Sequence, residues 1–446
     1  MSSARQPPIA VGAAPNATDP QPPRLVLPNL LTTFAQLAHL LEGELPRGAP
    51  LNSFLLAAGM NQILEDYLHP EPWPLALLPS YLERIGAPVG PVASSAARAL
   101  AAVCAILRGR RRGTAALTPW QAALSALTER LADAVVRSGG SASLDADVVA
   151  AGTALLAGAA RLPADLRSQL IRIPSCFRSF DQQPADVDRL GHDFAAGWPD
   201  RARPLAVVGI RTSGSYLAPL VVASLKRHGF RDARALTVRP GHRLLSAERR
   251  VLRDVAGRDG LVLLTDDPPS TGDSLARAVV DLGRAGVPCA NVVLLLQLFG
   301  SRDTLPSSLR GQAAVLLPWD EWAVHGRLTT AAVRSALAEL IGPSISVGAV
   351  ARLPLPGCAP TRGHVRARYR VQLADTGSGE HREQDVFVAG VGLGYFGEHA
   401  LAVTRELRRF VPEIYGVRAG LLYRAWLPDS RRVRPRAREV GELGSA

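Results

Sequence analysis

Between residues 205 and 317 the chain repeats one pattern that narrows its fold more than any other feature: a short, continuous apolar run followed by a longer segment with helical periodicity. The runs are Leu205–Ile210, Ala235–Val238, Leu261–Leu264, Asn291–Gln297 and Ala313–Leu317, and helices are expected from Tyr216 and from Ser274. A strand that is apolar at every position has no side to show to water, so both faces of its sheet must be covered. Strands separated by helices then run mostly parallel. The expectation is an α/β domain over residues 174–340. Ligands of such sheets sit beyond the carboxyl ends of the strands, where the segments Arg211–Ser215 and Asp266–Ser274 fall.

The flanks read differently. From about Pro28 to Ile173 apolar residues recur at helical spacing, as in Leu56-Met60-Ile63-Leu64 and Leu124-Leu127-Leu131-Val135. Thr118-Pro119 has the form of a cap and first turn, and Gly139-Gly140 that of a terminator. No side-chain combination in residues 28–173 suggests catalysis, which leaves a scaffold, a lid or a homo-oligomerisation surface. A small α+β lobe is expected over 345–430. Its parts are antiparallel strands Val365–Leu373 and Gln384–Ala389 around a polar turn, a helix Gly397–Phe410, and two further strands ending at Leu427. Residues 1–27, rich in Pro, Ala and Ser, read as a disordered tail and 431–446 as a basic one.

Composition limits the partners. The formal charge is +12, carried almost wholly by arginine, since Lys226 is the only lysine. The arginines are scattered apart from two dense runs, Arg108–Arg112 and Arg431–Arg438, so no groove for nucleic acid is indicated. Cys104, Cys176, Cys289 and Cys358 form no paired spacing, which argues against zinc and disulfides and fits a reducing cytoplasm. The most apolar stretch, Val148–Ala160, is too short to span a bilayer, and no secretory leader is expected from the first residues.

The chemistry concentrates in Leu261-Val262-Leu263-Leu264-Thr265-Asp266-Asp267-Pro268-Pro269-Ser270-Thr271-Gly272-Asp273-Ser274. A buried strand ends in two acids, and a Ser/Thr/Gly loop opens into a helix. Loop amides and hydroxyls at a helix amino terminus make an anion cradle, and two carboxylates upstream can accept hydrogen bonds from vicinal hydroxyls. The segment resembles the phosphoribosyl pyrophosphate signature of the type I phosphoribosyltransferases. That resemblance implies that Asp266 and Asp267 hold the ribose hydroxyls, and that Ser270, Thr271, Gly272, Asp273 and Ser274 hold the 5-phosphate. Pro268-Pro269 departs from the apolar residues usual there.

One unit upstream, Val207-Val208-Gly209-Ile210-Arg211-Thr212-Ser213-Gly214 resembles the family's pyrophosphate loop, with Arg211 towards the leaving diphosphate and Thr212, Ser213 and Gly214 beside it. Arg239, His242 and Arg243 fall where the family has a flexible loop that closes over substrate, and are candidate diphosphate clamps. A solvated basic turn accounts for each of them equally well. The implied reaction is displacement of magnesium-bound pyrophosphate from C1 of the ribose by a nitrogen nucleophile. Mg2+ is the implied cofactor, carried by the substrate with no direct protein ligand. Ser270 stands where the hypoxanthine-guanine branch carries an acid, which disfavours a 6-oxopurine acceptor. Acceptor choice in the family comes from a variable hood, for which Arg172–Gln183, with Cys176, Arg178 and Asp181, and Pro318-Trp319-Asp320-Glu321-Trp322 are the candidates.

The segments Val386–Gly397 and Leu421–Pro428 resemble the amino-terminal lobe of aminoglycoside-phosphotransferase-like kinases. Ala389 stands where such a kinase needs its lysine, and the residues that follow are too few for a second lobe, so a non-catalytic docking module is expected. Three functions stay open: a phosphoribosyltransferase, a non-catalytic sensor of phosphoribosyl pyrophosphate or a nucleotide, and an enzyme running a related ribosyl-phosphate reaction on a nucleoside.

Overall fold

A computed structural model describes residues 32–68, 114–138, 143–172, 174–242, 244–355 and 363–428. The amino-terminal part consists of helices α1 (Phe34–Glu44), α2 (Pro50–Leu68), α3 (Thr114–Ser138) and α4 (Ala146–Ala157). Thr33 and Gln36 start α1 with a reciprocal cap: the Thr33 hydroxyl accepts from the Gln36 amide at 3.2 Å, and the Gln36 side chain accepts from the Thr33 amide at 2.8 Å. The expected start of α3 needs correction, because the helix begins at Thr114 and carries Pro119 inside it. So near the amino end, proline gives up only the bond to a carbonyl of the opening turn, and the helix runs through it. Gly139 and Gly140 lie outside the described residues.

The chain then builds α5 (Pro184–Gly197), β1 (Leu205–Ile210), α6 (Gly214–Arg227), β2 (Ala233–Val238), α7 (Ser246–Gly257), β3 (Leu261–Thr265), α8 (Asp273–Arg284), β4 (Val292–Gln297) and β5 (Ala313–Leu317). The five strands are all parallel, in the order β2-β1-β3-β4-β5. Helix α9 (Thr330–Ile341) leads to a second sheet, wholly antiparallel, of β6 (Ile345–Leu353), β7 (Arg366–Asp375), β8 (His381–Gly390), β9 (Ile414–Arg418) and β10 (Leu421–Ala425). Strand β6 adds to the strands expected from sequence, and helix α10 (Tyr395–Glu406) sits earlier than the expected Gly397–Phe410.

Alternate residues of each parallel strand enter different cores. Val208, Leu264 and Leu294 face α7 and α8, packing with Leu252, Val255, Leu275 and Leu282. Val207, Leu263 and Leu295 face the other way. Their apolar cluster is continuous with Phe194 and Leu220 of α5 and α6, with Leu41, Leu64 and Leu131 of the amino-terminal helices, and with Tyr369 and Val388 of the second sheet. The three sequence regions therefore share one core. Among the described residues no helix is long and apolar enough to cross a membrane.

Asp186, in the first turn of α5, ties this core to the loop after β5. One carboxylate oxygen accepts from the Gln183 amide at 2.7 Å and the other from the Ala323 amide at 2.6 Å. Burial nonetheless dominates and pushes its pKa up to about 6. The folded chain thus holds this proton more tightly than the unfolded chain does. Its contribution to stability is full below about pH 4 and disappears as the pH rises through about 6, a loss of about 3 kcal/mol. Urea unfolding from pH 4 to 7 should show the wild type losing stability relative to Asp186→Asn by this order. A constant difference across the range would show the carboxylate to be ionised throughout.

Candidate functional site

The chain leaves β1 towards β2 on one side and then crosses to β3 on the other. The strand order reverses direction between β1 and β3, the place where sheets of this kind commonly form a ligand crevice at the carboxyl ends of the strands. Both motif loops open there.

The first loop turns at Gly209 and Gly214. A Cβ on either would lie inside the backbone of the other, so strand end and helix start are in direct contact and only glycine fits. The peptide between Arg211 and Thr212 is cis. Ser213 is buried, and its hydroxyl donates to Asp267 Oδ2 at 2.6 Å. The Ser213 hydroxyl oxygen also accepts from the amides of Ser175 at 3.2 Å and Cys176 at 3.3 Å. One hydroxyl thus joins the β1 loop, the β3 loop and the segment before α5.

In the second loop, Asp266 Oδ1 accepts from the Asp267 amide at 2.8 Å. Asp267 Oδ1 is buried without a hydrogen-bond partner. Gly272 has φ +77°, the left-handed conformation that lets the chain enter α8, and a side chain there would press on Ser308 and Leu309. The Ser308 hydroxyl donates to the Thr271 carbonyl at 3.2 Å, bracing the loop from the β4–β5 connection. Ser270, Thr271, Asp273 and Ser274 are exposed, and the first amides of α8 have no intrahelical partner. The arrangement is a donor-rich rim beside two enclosed acids. Burial raises the pKa of Asp266 well above the ordinary carboxylate range, and the neighbouring Asp267 raises it further. Burial also raises Asp267, against the Ser213 hydroxyl. Carboxylates in this condition gain from any hydroxyl donor brought to them.

Arg211 does not fit the expectation that it faces a departing diphosphate. Its guanidinium is 4% exposed and lies between three carboxylates: Glu65 at 3.6 Å and Asp66 at 3.6 Å on α2, and Glu248 at 3.5 Å on α7. It also donates to the Thr237 hydroxyl at 2.9 Å, which in turn donates to Glu65 at 2.5 Å. Arg239 is likewise engaged, with a bidentate contact to Asp66 at 2.6 and 2.7 Å. A cation already neutralised by buried acids has little field left for a ligand. The His242 amide closes a turn onto the Arg239 carbonyl at 3.0 Å, and Arg243 lies outside the described residues. The acids of this cluster had no sequence signal, because α2 and β1 meet only in the folded chain.

The two proposed hood segments do come together. The ring of Phe180 meets that of Phe299 at 4.9 Å, and Phe299 meets Trp319 at 5.4 Å. Phe299, just past β4, is the residue that sequence reasoning missed. Other hood candidates hold the segment in place. Arg172 pairs with Asp66 at 3.8 Å and Arg178 donates to the Ser179 hydroxyl at 3.1 Å. Asp181 accepts from the Val365 amide and lies 2.7 Å from the His364 ring, bridging to the second sheet. Cys176 is fully buried, and burial with Asp267 nearby pushes its thiol far up, which leaves it un-ionised and inert as a nucleophile.

Compared with protein-family models and with curated proteins, the chain finds no match.

Replacing Arg211 separates a structural from a ligand-binding role. Arg211→Gln should lower the unfolding free energy by about 3 kcal/mol or more, because it strands buried carboxylates. Urea denaturation checks this, and an Arg211→Gln protein as stable as the wild type would refute the structural role.

Proposed function

We propose that the chain is a phosphoribosyltransferase that binds phosphoribosyl pyrophosphate in the crevice between β1 and β3 and transfers its phosphoribosyl group to a nitrogenous acceptor. The observation that supports this reading best is the hydrogen bond from Ser213 to Asp267. It sets the pyrophosphate-loop candidate against the acidic pair, with the exposed Ser270–Ser274 rim alongside at the start of α8.

In this reading each group has a role. The Thr271 and Ser274 hydroxyls and the opening amides of α8 receive the 5-phosphate, which the helix dipole also favours. Asp266 and the unpartnered Oδ1 of Asp267 accept the ribose hydroxyls and fix the ring, while Ser213 holds Asp267 in place. With Arg211 and Arg239 committed elsewhere, the amides of Thr212, Ser213 and Gly214 are left to meet the diphosphate. Among the described residues no group of three or more acids, histidines or cysteines could cage a metal. In this reading magnesium would arrive on the diphosphate, with ligands drawn from substrate and water. When bound, Mg2+ would neutralise charge on the departing pyrophosphate. The bond from C1 to the diphosphate oxygen breaks as the acceptor nitrogen bonds to C1. Pyrophosphate leaves with the bonding pair, the acceptor's N–H proton passes to pyrophosphate or water, and the ionised acidic pair would favour the positive charge that grows on the sugar. The edge-to-face and tilted rings of Phe180, Phe299 and Trp319 are the apolar candidate for meeting the acceptor.

Calorimetric titration should detect magnesium-dependent binding of phosphoribosyl pyrophosphate. Thr271→Val removes one donor to a charged group, worth about 1.5 to 3 kcal/mol, so affinity should fall roughly tenfold or more. Asp266→Asn should weaken binding without lowering the unfolding midpoint, since the carboxylate it removes is buried at a cost. No binding by folded wild type, or equal binding by all three proteins, would sink the assignment. Pyrophosphate release on adding candidate bases separates a transferase from a sensor of the same ligand.

The raised pKa values of the acidic pair give a pH dependence with a definite sign. A protonated carboxyl loses acceptor capacity, so affinity should climb as the pH rises above the ordinary carboxylate range and then level off. Titrations from pH 5 to 8 test this, and Asp266→Asn should flatten the profile. A wild-type affinity that falls over the same interval would contradict it.

A further inference from the structure

Helix α7 carries a feature that the phosphoribosyl reading does not use. Its Leu252 and Val255 are buried against the sheet, and its outer face presents Ser246, Arg249, Arg250 and Arg253 around an open hollow of about 590 Å³. Among the described residues none of these three guanidiniums has an ion-pair or hydrogen-bond partner. The remaining lining residue, Asp254, is engaged by Arg234 at 3.4 Å. Neighbouring arginines behave otherwise: Arg234 pairs with Asp232 at 3.2 Å and Arg203 with Asp259 at 3.2 Å.

This arrangement opposes the local physics of the helix. Arg249 and Arg253 stand at i,i+4, and Arg250 and Arg253 at i,i+3, spacings at which like charges repel. Arg249 and Arg250 lie in the amino-terminal half, where the helix dipole disfavours cations. Glu248, the one acid in the first turn, turns inward to Arg211 and does not neutralise them. A local conflict that the fold does not need is the mark of a place kept for a ligand.

We infer that the outer face of α7 is a second anion site, separate from the β1–β3 crevice, which takes a phosphate or diphosphate group of a small phosphorylated molecule. Guanidiniums supply forked donors that match phosphate oxygens, and an anion there removes the mutual repulsion of the three cations. The hollow is confined to one helix face, which suits a single phosphate or diphosphate group in place of an extended nucleic-acid backbone. The inference does not rest on the phosphoribosyltransferase assignment.

The probe is inorganic pyrophosphate with a chelator present, so that no magnesium complex forms, read by amide hydrogen exchange and calorimetry. In the wild type, pyrophosphate should slow exchange across residues 246–257. In the variant Arg249→Gln/Arg250→Gln/Arg253→Gln the slowing should vanish and the affinity of that site should drop about tenfold or more. The unfolding midpoint of this variant should not fall. Thr271→Val, which alters the crevice, should leave the α7 response as in the wild type. The inference is overturned by equal slowing in the triple variant, by no slowing in the wild type, or by a lowered midpoint, which would make the arginines structural. Binding of a single-stranded oligonucleotide without any binding of pyrophosphate would overturn it as well.

Discussion

The buried guanidinium of Arg211 holds together elements that are remote in sequence. Glu65 and Asp66 come from the end of α2, Glu248 from the first turn of α7, and Thr237 from β2. Burial raises the pKa of Glu65 and of Glu248, and Arg211 opposes the rise in both. Such a cluster persists only with its charges balanced, and Arg239 on Asp66 adds to the balance. The consequence is positional: the β1 loop is anchored through the side chain of Arg211, which is withdrawn among these acids.

In the same loop, Ser213 does for polar groups what the glycine pair Gly209 and Gly214 does for the backbone. The glycines let β1 and α6 meet without an intervening side chain. The hydroxyl then accepts two amides from the segment before α5 and donates to Asp267. Two adjacent carboxylates of this kind are an expensive arrangement for a fold that needs them only for itself, because burial disfavours the ionised form of both and Asp267 disfavours it further at Asp266. Under the proposed function, hydroxyl donors from a ligand would offset that cost, and the exposed Ser/Thr rim at the start of α8 would meet its phosphate.

The amino-terminal helices and the antiparallel sheet are joined to this site through one apolar core, which makes them parts of the scaffold around the crevice. The segment 174–183 runs between them. Its Ser175 and Cys176 amides reach Ser213, the Phe177 carbonyl accepts from Leu393 at 2.6 Å, and Asp181 reaches the Val365 amide.

The parallel sheet, the positions of β1, β3 and β4, and both motif loops were legible in the sequence, because continuous apolar runs, glycines at turns and a Ser/Thr loop at a helix start are local signals. Asp266, Asp267 and the Ser270–Ser274 rim were recognisable for the same reason. The fate of Arg211 and Arg239 was not, since their charge reads alike whether it meets a ligand or an acid of the fold, and only the meeting of the end of α2 with the residues that end β1 and β2 decides between these. Phe299 was silent because an aromatic residue after a strand is usually core, and its junction with Phe180 and Trp319 exists only in three dimensions. The chain alone thus determined the layers of the sheet and the chemistry of its loops, through short-range periodicity and turn chemistry. Which charges are spent inside the fold and which remain for a ligand was decided by tertiary contacts, because the energy of an ion depends on its partners and its solvent exposure, and sequence order specifies neither.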